Sequence, residues 1–434
     1  MCTVKSRKAE ALSQPVSLRS QFIRRVANRP LAICPSLSTL PRRRIWTKAL
    51  AAGPVLCALI VLHACAPEEA QSHEQGGEAG RLVIVGGALQ TNNAAVYEAI
   101  LQARDGDGPL CVLPTANGEP EESMGEAVER FTGYAGPASA KGVLITTEDP
   151  SRARDPSVAA QLTTCSGFFF TGGSQRRILD VFLPGGDTTV AYRALWKRWR
   201  EGAVVAGTSA GAAMMSRVMI SGGSSDEAVN HGVAAGADED GVWIRGGMGF
   251  FEPIVDQHFL ARGRIGRLLV SVVDADLPQI GLGIDENTAL IVDGDSAIVV
   301  GVSGVVVVDG RNAQRNGPNR AVGLRVTLAG NGDVLDLRTY QVRRGSGKIP
   351  VPGTGASLES PTDLFARWAF LHLIADLAAT SAPEVTFTLP GATLRIAKDA
   401  GFSASMTRSI DGVEGTPSGF SAGPFRVDLL PPRT

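Results

Sequence analysis

From residue 81 onward, short apolar runs alternate with amphipathic segments. The apolar runs are continuous and flanked by glycine, as in RLVIVGG, GFFFTGG and GAVVAGTSAG, which is typical of strands buried on both faces of a parallel sheet. The segments ESMGEAVERFTGY and TTVAYRALWKRWREG place apolar residues at helical spacing and would supply the crossover helices. The pattern predicts an α/β fold with a doubly wound, mostly parallel sheet that binds its ligand at the carboxyl ends of the strands.

The pattern changes in the second half of the chain. Residues 281–310 alternate glycine turns with short apolar runs, which predicts antiparallel strands at the edge of the sheet. After Gly310 the composition shifts toward Arg, Asn, Gly and Pro. We therefore expect an α/β domain over residues 81–310 and a C-terminal α+β extension of unknown role over residues 311–434.

The extension contains two hairpin patterns and one helix pattern. Apolar stretches flank turn residues over Arg325–Val342 and again over Val385–Ile396, which predicts two β-hairpins. Between them, Ser360 followed by Pro361 predicts the start of a helix, because serine caps a helix and proline fits its first turn. The sequence assigns no chemistry to this part of the chain.

The first 64 residues carry a targeting pattern. They contain eleven Lys and Arg and one acidic residue, and they end in three arginines, a fourteen-residue apolar stretch and Leu-His-Ala before Cys65. These features resemble a bacterial lipoprotein signal, and a plain signal peptide or a short anchor is the alternative. We expect an exported protein that is anchored to a membrane through a lipid on Cys65. Residues 65–80 are polar and rich in glycine, which predicts a flexible tether.

Composition excludes several classes of protein. The 434 residues are 44% hydrophobic and have a mean hydropathy of +0.07, which excludes a disordered chain. No apolar run reaches the ~20 residues of a spanning helix, which excludes a multispan membrane protein. Downstream of the first 64 residues, 42 acidic residues outnumber 31 basic ones, which argues against a nucleic-acid partner.

Neither a metal nor a dinucleotide is indicated. Cys111 and Cys165 are the only cysteines after residue 65, and their apolar neighbours predict buried structural thiols. No Cys or His pair has the spacing of metal ligands. Gly86-Gly87 follows the first strand but lacks the G-x-G-x-x-G pattern, so we interpret it as a tight strand-to-helix turn.

The candidate nucleophile is Ser209, within the sequence GTSAG at 207–211. This sequence follows an apolar strand and precedes a helical pattern, which is the arrangement of a nucleophile elbow. Small residues allow the turn to close and lift the serine hydroxyl above the sheet. The backbone N–H of Ala210, at the start of the helix, would then donate to a developing oxyanion.

A serine nucleophile needs a general base, and three histidines follow residue 80. His258 ends an apolar strand, His231 lies in a loop rich in Gly and Ala, and His372 lies in a helical pattern. Asp285 or Glu286, directly after a strand, could orient the imidazole, and spacing alone does not choose between them. The order of serine, histidine and acid differs from the serine, acid and histidine order of α/β-hydrolases.

Four motifs in this order resemble peptidase family S51, which includes the cyanophycinases and peptidase E. The motifs are TGGSQ at 171–175, GTSAGA at 207–212, DQHFLARGRIGRL at 256–268 and GIDENTAL at 283–290. The similarity covers roughly residues 81–310 and implies a fold like that of the class I glutamine amidotransferases. It also implies that Ser209 is the nucleophile, His258 the base and Glu286 the acid. Gly173 would join Ala210 as an oxyanion donor.

The resemblance also implies a substrate pocket beside the histidine. Three arginines at the start of a helix each oppose its dipole by ~0.3–1 kcal/mol, which favours a bound anion, and a solvated basic face is the alternative. Cyanophycinases release β-Asp-Arg dipeptides from cyanophycin, a polyaspartate with arginine on each side-chain carboxyl group, and the acidic backbone would suit these cations. The residues assigned to the substrate are Gln175, Asp256, Gln257, Arg262, Arg264 and Arg267.

We therefore expect a serine exopeptidase that hydrolyses cyanophycin through an acyl-enzyme, without a metal or an organic cofactor. An aspartyl or isoaspartyl dipeptidase of the peptidase E type is one alternative, and the arginine-rich motif favours the first. A lipoprotein that keeps the fold and binds without turnover is another, which the presence of Ser209, His258 and Glu286 opposes. Cyanophycin or a β-aspartyl peptide is the expected partner, and a homodimer is compatible with the sequence.

Overall fold

The structure, a computed structural model, describes residues 79–432 except 237–238, 355–357, 359–360, 409–411 and 414–415. The predicted signal, Cys65 and all but the last two residues of the predicted tether therefore lie outside the described residues. Within that range, no helix is long and apolar enough to cross a membrane.

The described residues form 21 strands and nine α-helices. The strands are β1 (Leu82–Val85), β2 (Leu110–Leu113), β3 (Ala140–Gly142), β4 (Gly167–Phe170), β5 (Val204–Thr208), β6 (Val218–Gly222), β7 (Val233–Ala234), β8 (Val242–Gly246), β9 (Ile254–Gln257), β10 (Ile280–Ile284), β11 (Thr288–Asp293), β12 (Ser296–Gly301), β13 (Gly304–Asp309), β14 (Gln314–Arg315), β15 (Ala321–Gly330), β16 (Val334–Asp336), β17 (Val342–Arg343), β18 (Ile349–Pro350), β19 (Glu384–Thr388), β20 (Thr393–Met406) and β21 (Ser421–Leu430). The helices are α1 (Ala94–Gln102), α2 (Pro120–Ala135), α3 (Pro156–Leu162), α4 (Gln175–Phe182), α5 (Val190–Arg200), α6 (Ala210–Ala213), α7 (Ser225–His231), α8 (Ile265–Val273) and α9 (Ala369–Ala379).

The first sheet confirms the predicted α/β fold class. Its strand order is β17-β16-β12-β11-β1-β5-β4-β2-β3, and the half from β1 to β3 is parallel. Alternate residues of β1 enter different cores: Val83 packs with α1 and α2, whereas Ile84 packs with α3, α4 and α5. Helices on both faces explain why the strands are apolar throughout rather than alternating.

A second sheet carries most of the C-terminal extension. Its main order is β18-β20-β21-β15-β13-β10-β9, with β14 on β15 and β19 on β20, and β9 and β10 are its parallel pair. One face shares a core with the first sheet, through residues such as Leu282 and Val305. The other face packs under α8 and α9. A small third sheet has the order β6-β8-β7.

The strands after Gly310 differ in part from the predicted hairpins. The hairpin predicted over Arg325–Val342 is wrong, because β15 pairs with β13 and β21 in the second sheet while β16 pairs with β12 in the first. The hairpin predicted over Val385–Ile396 is present as β19 and β20. Ser360 lies outside the described residues, and α9 begins only at Ala369.

Cys111 and Cys165 form a disulfide, so the prediction of two buried thiols was wrong. Cys111 belongs to β2, and Cys165 lies two residues before β4, the parallel neighbour of β2. This pairing of strands brings the two Cα atoms to 5.8 Å, which is a normal disulfide distance. The sequence separation of 54 between the two cysteines conceals this proximity.

Candidate active site

Ser209 occupies a sharp turn between β5 and α6. Its φ of 56° lies in the left-handed region, which a serine adopts only where the surrounding structure enforces it. Its backbone N–H donates to the Val85 carbonyl over 3.0 Å. A side chain on Gly207 would overlap the Gly211 carbonyl, and one on Gly211 would overlap the Phe170 carbonyl. The small residues of the motif are therefore required by backbone packing around the elbow.

His258 and Glu286 reach Ser209 from the second sheet. His258 follows β9, and Glu286 lies two residues after β10, the parallel neighbour of β9. The Ser209 hydroxyl lies 2.9 Å from His258 Nε2, and His258 Nδ1 lies 2.7 Å from Glu286 Oε1. The structure thus brings the three predicted residues into one hydrogen-bonded line. In this geometry the imidazole can take the hydroxyl proton while the carboxylate holds its tautomer.

Asp285, the other candidate acid, contacts different groups. Its carboxylate accepts a 2.8 Å hydrogen bond from the Ala261 N–H and a 2.6 Å hydrogen bond from the Ser303 hydroxyl. The side chain is fully buried, and this burial raises the pKa of Asp285. Asp285 therefore ties the turn after His258 to the loop before β13, and Glu286 alone of the two acids contacts the imidazole.

The glycine turn after β1 supports the site, a role that the sequence reasoning missed. The backbone N–H of His258 donates to the Gly86 carbonyl over 2.6 Å, and that of Asn287 donates to the Gly87 carbonyl over 2.8 Å. Gly87 has a φ of +111°, and a Cβ there would overlap the imidazole of His258. The glycine pair directly after the first strand was the available signal, because glycine is used where another group approaches the backbone closely.

The two predicted oxyanion donors come from separate loops. Ala210 is the first residue of α6, so its N–H lies at the N-terminus of that helix. Gly172 packs against Ser209, since a Cβ on Gly172 would lie 3.4 Å from the Cβ of Ser209. Gly173 follows with a φ of +139°, and a Cβ there would overlap the Ala116 carbonyl. Two loops with little side-chain bulk thus meet beside the nucleophile.

The electrostatic surroundings of His258 keep its imidazole neutral. Burial lowers the pKa of His258, the hydrogen bond to Glu286 raises it in part, and the positive charges of Arg262 and Arg264 lower it again. A neutral imidazole is the form that accepts a proton from serine.

Asp256 and Arg267 bind each other. Arg267 Nε lies 2.7 Å from Asp256 Oδ2, and Arg267 Nη2 lies 2.5 Å from Asp256 Oδ1. Both side chains are buried, at 1% exposed for Asp256 and 5% for Arg267. Arg267 Nη1 also donates to the Gly223 carbonyl over 2.7 Å. The structure therefore places these two predicted substrate residues in a buried ion pair that joins β9 to α8.

Arg262 and Arg264 lie closer to the reacting groups. Arg264 donates to the Gln257 carbonyl over 2.5 Å, and burial lowers the pKa of Arg264 to about 10, which leaves it charged at neutral pH. The Arg262 side chain is 52% exposed, and its Nη2 lies 3.4 Å from His258 Nε2. Arg262 is therefore the predicted arginine most open to a ligand.

The two predicted glutamines differ in position. Gln257 Oε1 lies 3.5 Å from the Ser209 hydroxyl. Gln175 begins α4, and its side-chain amide donates to the Ile220 carbonyl of β6 over 2.9 Å. The structure thus brings Gln257 to the nucleophile and attaches Gln175 to the small third sheet.

A cavity of about 350 Å³ opens beside the arginines. This volume falls within the ~300–1,000 Å³ of small-molecule sites. Its wall carries both signs of charge and two aromatic rings. The residues that set this character are Asp226, Glu227, Trp243, Arg262, Arg264 and Phe365. In the described part of the chain, no group of three or more His, Cys, Asp and Glu could hold a metal ion.

The sequence matches one protein family and several curated proteins. A family profile described as peptidase family S51 matches residues 82–300, a range that contains Ser209, His258 and Glu286. A cyanophycinase of Synechococcus elongatus is 29% identical over 289 residues, which cover 64% of this chain and 85% of that protein. A cyanophycinase of Geminocystis herdmanii is 30% identical over 277 residues, 61% of this chain and 96% of that protein. A cyanophycinase of Trichormus variabilis is 36% identical over 203 residues, 46% of this chain and 63% of that protein.

Two solved structures are also similar. A peptidase from an acI-B1 actinobacterium has a TM-score of 0.42 and 21% identity, and covers 60% of this chain and 98% of its own. A putative peptidase E protein from Listeria monocytogenes has a TM-score of 0.35 and 13% identity, and covers 52% of this chain and 100% of its own.

Proposed function

Since the chain belongs to peptidase family S51 and is a serine-type peptidase, we propose that it hydrolyses cyanophycin to β-Asp-Arg dipeptides. The observation that carries this proposal is the hydrogen-bonded line of Ser209, His258 and Glu286 beside a cavity with cationic and anionic walls. A β-Asp-Arg unit carries a carboxylate and a guanidinium, so the two signs of charge in the cavity suit it. The curated proteins named as cyanophycinases support the same substrate.

The reaction proceeds through an acyl-enzyme in this proposal. His258 takes the proton of the Ser209 hydroxyl as its oxygen attacks the peptide carbonyl, and the N–H groups of Ala210 and the glycine loop stabilise the oxyanion. The carbon–nitrogen bond then breaks, and His258 returns the proton to the departing amine. A water molecule, deprotonated by His258, attacks the ester carbonyl, and His258 returns that proton to the departing Ser209 oxygen as the ester bond breaks. Glu286 keeps the imidazole oriented and stabilises its charged form throughout.

The substrate is tested by incubating the purified protein with insoluble cyanophycin and analysing the soluble products by mass spectrometry. We expect β-Asp-Arg from the wild type. Ser209→Ala should lose on the order of 10⁶ in kcat while still binding the polymer, because the triad acts as one unit. His258→Ala should lose about as much, and His231→Ala, a histidine on α7, should remain active. Cleavage of simple aspartyl dipeptides without release from the polymer would instead identify an aspartyl dipeptidase.

We also propose that the protein is exported and anchored through a lipid on Cys65. The basic and apolar pattern before Cys65 supports this localisation, as does the disulfide, because disulfides persist in oxidising compartments. Wild-type protein in bacterial cells should incorporate a radioactive fatty acid and sediment with membranes. Cys65→Ser should lose both properties, whereas the matched variant Cys57→Ala should keep them. Unlabelled wild type would contradict the anchor.

A further inference from the structure

We infer that the C-terminal extension contributes a group to the catalytic site, with Arg367 acting as a positioning residue for Glu286 of the triad. Arg367 lies in a short segment, residues 363–368, that directly precedes α9. The family profile ends at residue 300, so this segment lies outside the part of the chain that the family match covers. The inference concerns the serine-type reaction and does not depend on the identity of the substrate.

The 363–368 segment is packed tightly onto the loop that follows His258. The backbone N–H of Trp368 donates to the Leu260 carbonyl over 2.9 Å. A Cβ on Gly263 would overlap the Phe365 carbonyl, and a Cβ on Gly266 would lie 2.8 Å from the Phe365 ring. Such close approach leaves no room for a side chain at either glycine. The 363–368 segment therefore packs closely against the residues that follow His258.

The geometry directs the Arg367 guanidinium to one oxygen of Glu286. Arg367 Nη2 lies 3.5 Å from Glu286 Oε2, while the other carboxylate oxygen, Oε1, accepts from His258 Nδ1. The guanidinium lies 4.0 Å from the centre of the Trp368 ring, and Trp368 itself has a left-handed φ of 55°. The stacked ring and the strained backbone restrict where the guanidinium can move. Because Arg367 approaches Oε2, the other oxygen, Oε1, remains available for the hydrogen bond from His258 Nδ1.

Removal of the positive charge of Arg367 should make His258 hold its proton more strongly. The charged groups that face His258 are Glu286, Arg262 and Arg264. Those that face Glu286 are His258, Arg262 at 4.0 Å, Arg264, Arg367 and the neighbouring Asp285. Without Arg367, the negative charge of Glu286 would be less neutralised and would hold a proton on His258 more strongly. The acidic limb of the activity profile would then move to higher pH.

The test measures how fast a fluorophosphonate labels Ser209 in the full-length protein, from about pH 5 to pH 8. Arg367→Ala should react about two- to fivefold more slowly near neutral pH, the range of exposed ion pairs, and its acidic limb should move to higher pH. Arg367→Lys should return the acidic limb to the pH of the wild type, because lysine keeps the positive charge. Arg338→Ala, which removes a distant exposed ion pair with Asp295, should match the wild type.

A double-mutant cycle separates action through Glu286 from a general structural effect. In a Glu286→Gln background, Arg367→Ala should slow labelling no further, because its partner charge is already gone. An equal loss in both backgrounds would overturn the inference, as would an Arg367→Ala protein with the rate and acidic limb of the wild type. A wild type that is labelled but releases nothing from cyanophycin would contradict only the proposed substrate.

Discussion

At the level of single residues, the position of the His258 ring depends on Gly87. We predict that Gly87→Ala lowers kcat/KM about 100-fold, because a Cβ there overlaps the imidazole and a displacement of roughly 1 Å has that effect on rate. The comparison is Gly106→Ala, where φ is also positive, at +79°, but nothing lies within 4 Å of the new Cβ. Steady-state kinetics and a melting curve on both variants provide the measurement. Equal activities would show that the contact with His258 is irrelevant.

The protonation of His258 leads to a second prediction at this scale. Burial lowers the pKa of His258 from 6.5, and the base works only when it is unprotonated, so its proton leaves at a lower pH than usual. The acidic limb of kcat/KM should therefore have its midpoint below pH 6.5. Glu286→Gln should move the midpoint lower still, because the bond to Glu286 raises the pKa. A wild-type midpoint above pH 6.5 would contradict the neutral, buried imidazole.

The sequence predicted those site residues that carry a chemical signature. Ser209 was identified by its elbow motif, whereas His258 was assigned among three histidines by the family resemblance. Glu286 could be preferred over Asp285 only by family resemblance, because the choice depends on side-chain direction. The supporting contacts of Gly87 and Arg367 escaped prediction because each joins parts of the chain that are remote in sequence.

At the level of elements, the Asp256–Arg267 pair connects β9 to α8. From the sequence, both residues were assigned to the substrate. We now predict that Arg267→Ala lowers the free energy of unfolding by about 3 kcal/mol, the lower end of the effect of breaking a buried pair, because Asp256 stays buried and keeps only Arg264 as a partner, at 3.5 Å. Arg262→Ala, from the same cluster but half exposed, should change it by less than about 0.5 kcal/mol. Urea unfolding of both variants measures the difference.

The converse design tests the same pair. Replacing both partners, as Asp256→Leu with Arg267→Met, should recover much of the stability that Arg267→Ala loses, since apolar residues often replace buried ion pairs without loss. If Arg267→Ala unfolds at the wild-type urea concentration, the pair contributes little and a ligand role for Arg267 regains support.

Element prediction succeeded where burial dictates the residue type. The runs in β1, β4 and β5 are apolar because both faces of the central sheet are covered, and all three were predicted. The apolar run GVLITTE, residues 142–148, has the same pattern but contains only the last residue of the edge strand β3, Ala140–Gly142, which pairs with β2 alone. The helix predicted from Ser360 begins only at Ala369, because residues 363–368 pack against the loop that follows His258.

At the level of the whole molecule, the disulfide closes a long loop of the first sheet. The chain-entropy estimate for 54 residues predicts that reduction lowers the free energy of unfolding by about 4 kcal/mol. Urea unfolding of the wild type with and without a thiol reductant measures this difference, because the two samples have the same amino-acid sequence and differ only in the disulfide. The double variant Cys111→Ala with Cys165→Ala should not respond to the reductant. If the reductant does not change the free energy of unfolding of the wild type either, the disulfide is not formed.

The partition of strands between the two sheets could not be predicted. Residues 281–310 alternate as expected, but β10 and β13 belong to the second sheet while β11 and β12 belong to the first. All four runs are apolar at their buried positions, so local pattern does not reveal which sheet each joins. That partition places His258 and Glu286 on one sheet and Ser209 on the other.

The turn at Gly86 and Gly87 connects these two sheets through main-chain atoms alone, and this affects how such an enzyme can diverge. Every residue except proline offers the same N–H and carbonyl, so the bonds from His258 and Asn287 to the turn do not depend on the side chains of the flanking strands. Side chains in the flanking strands can therefore change without breaking the two hydrogen bonds that hold His258 and Asn287 to the turn. The two glycines cannot change as freely, because a Cβ at Gly86 would overlap the Asp285 carbonyl and one at Gly87 would overlap the imidazole of His258.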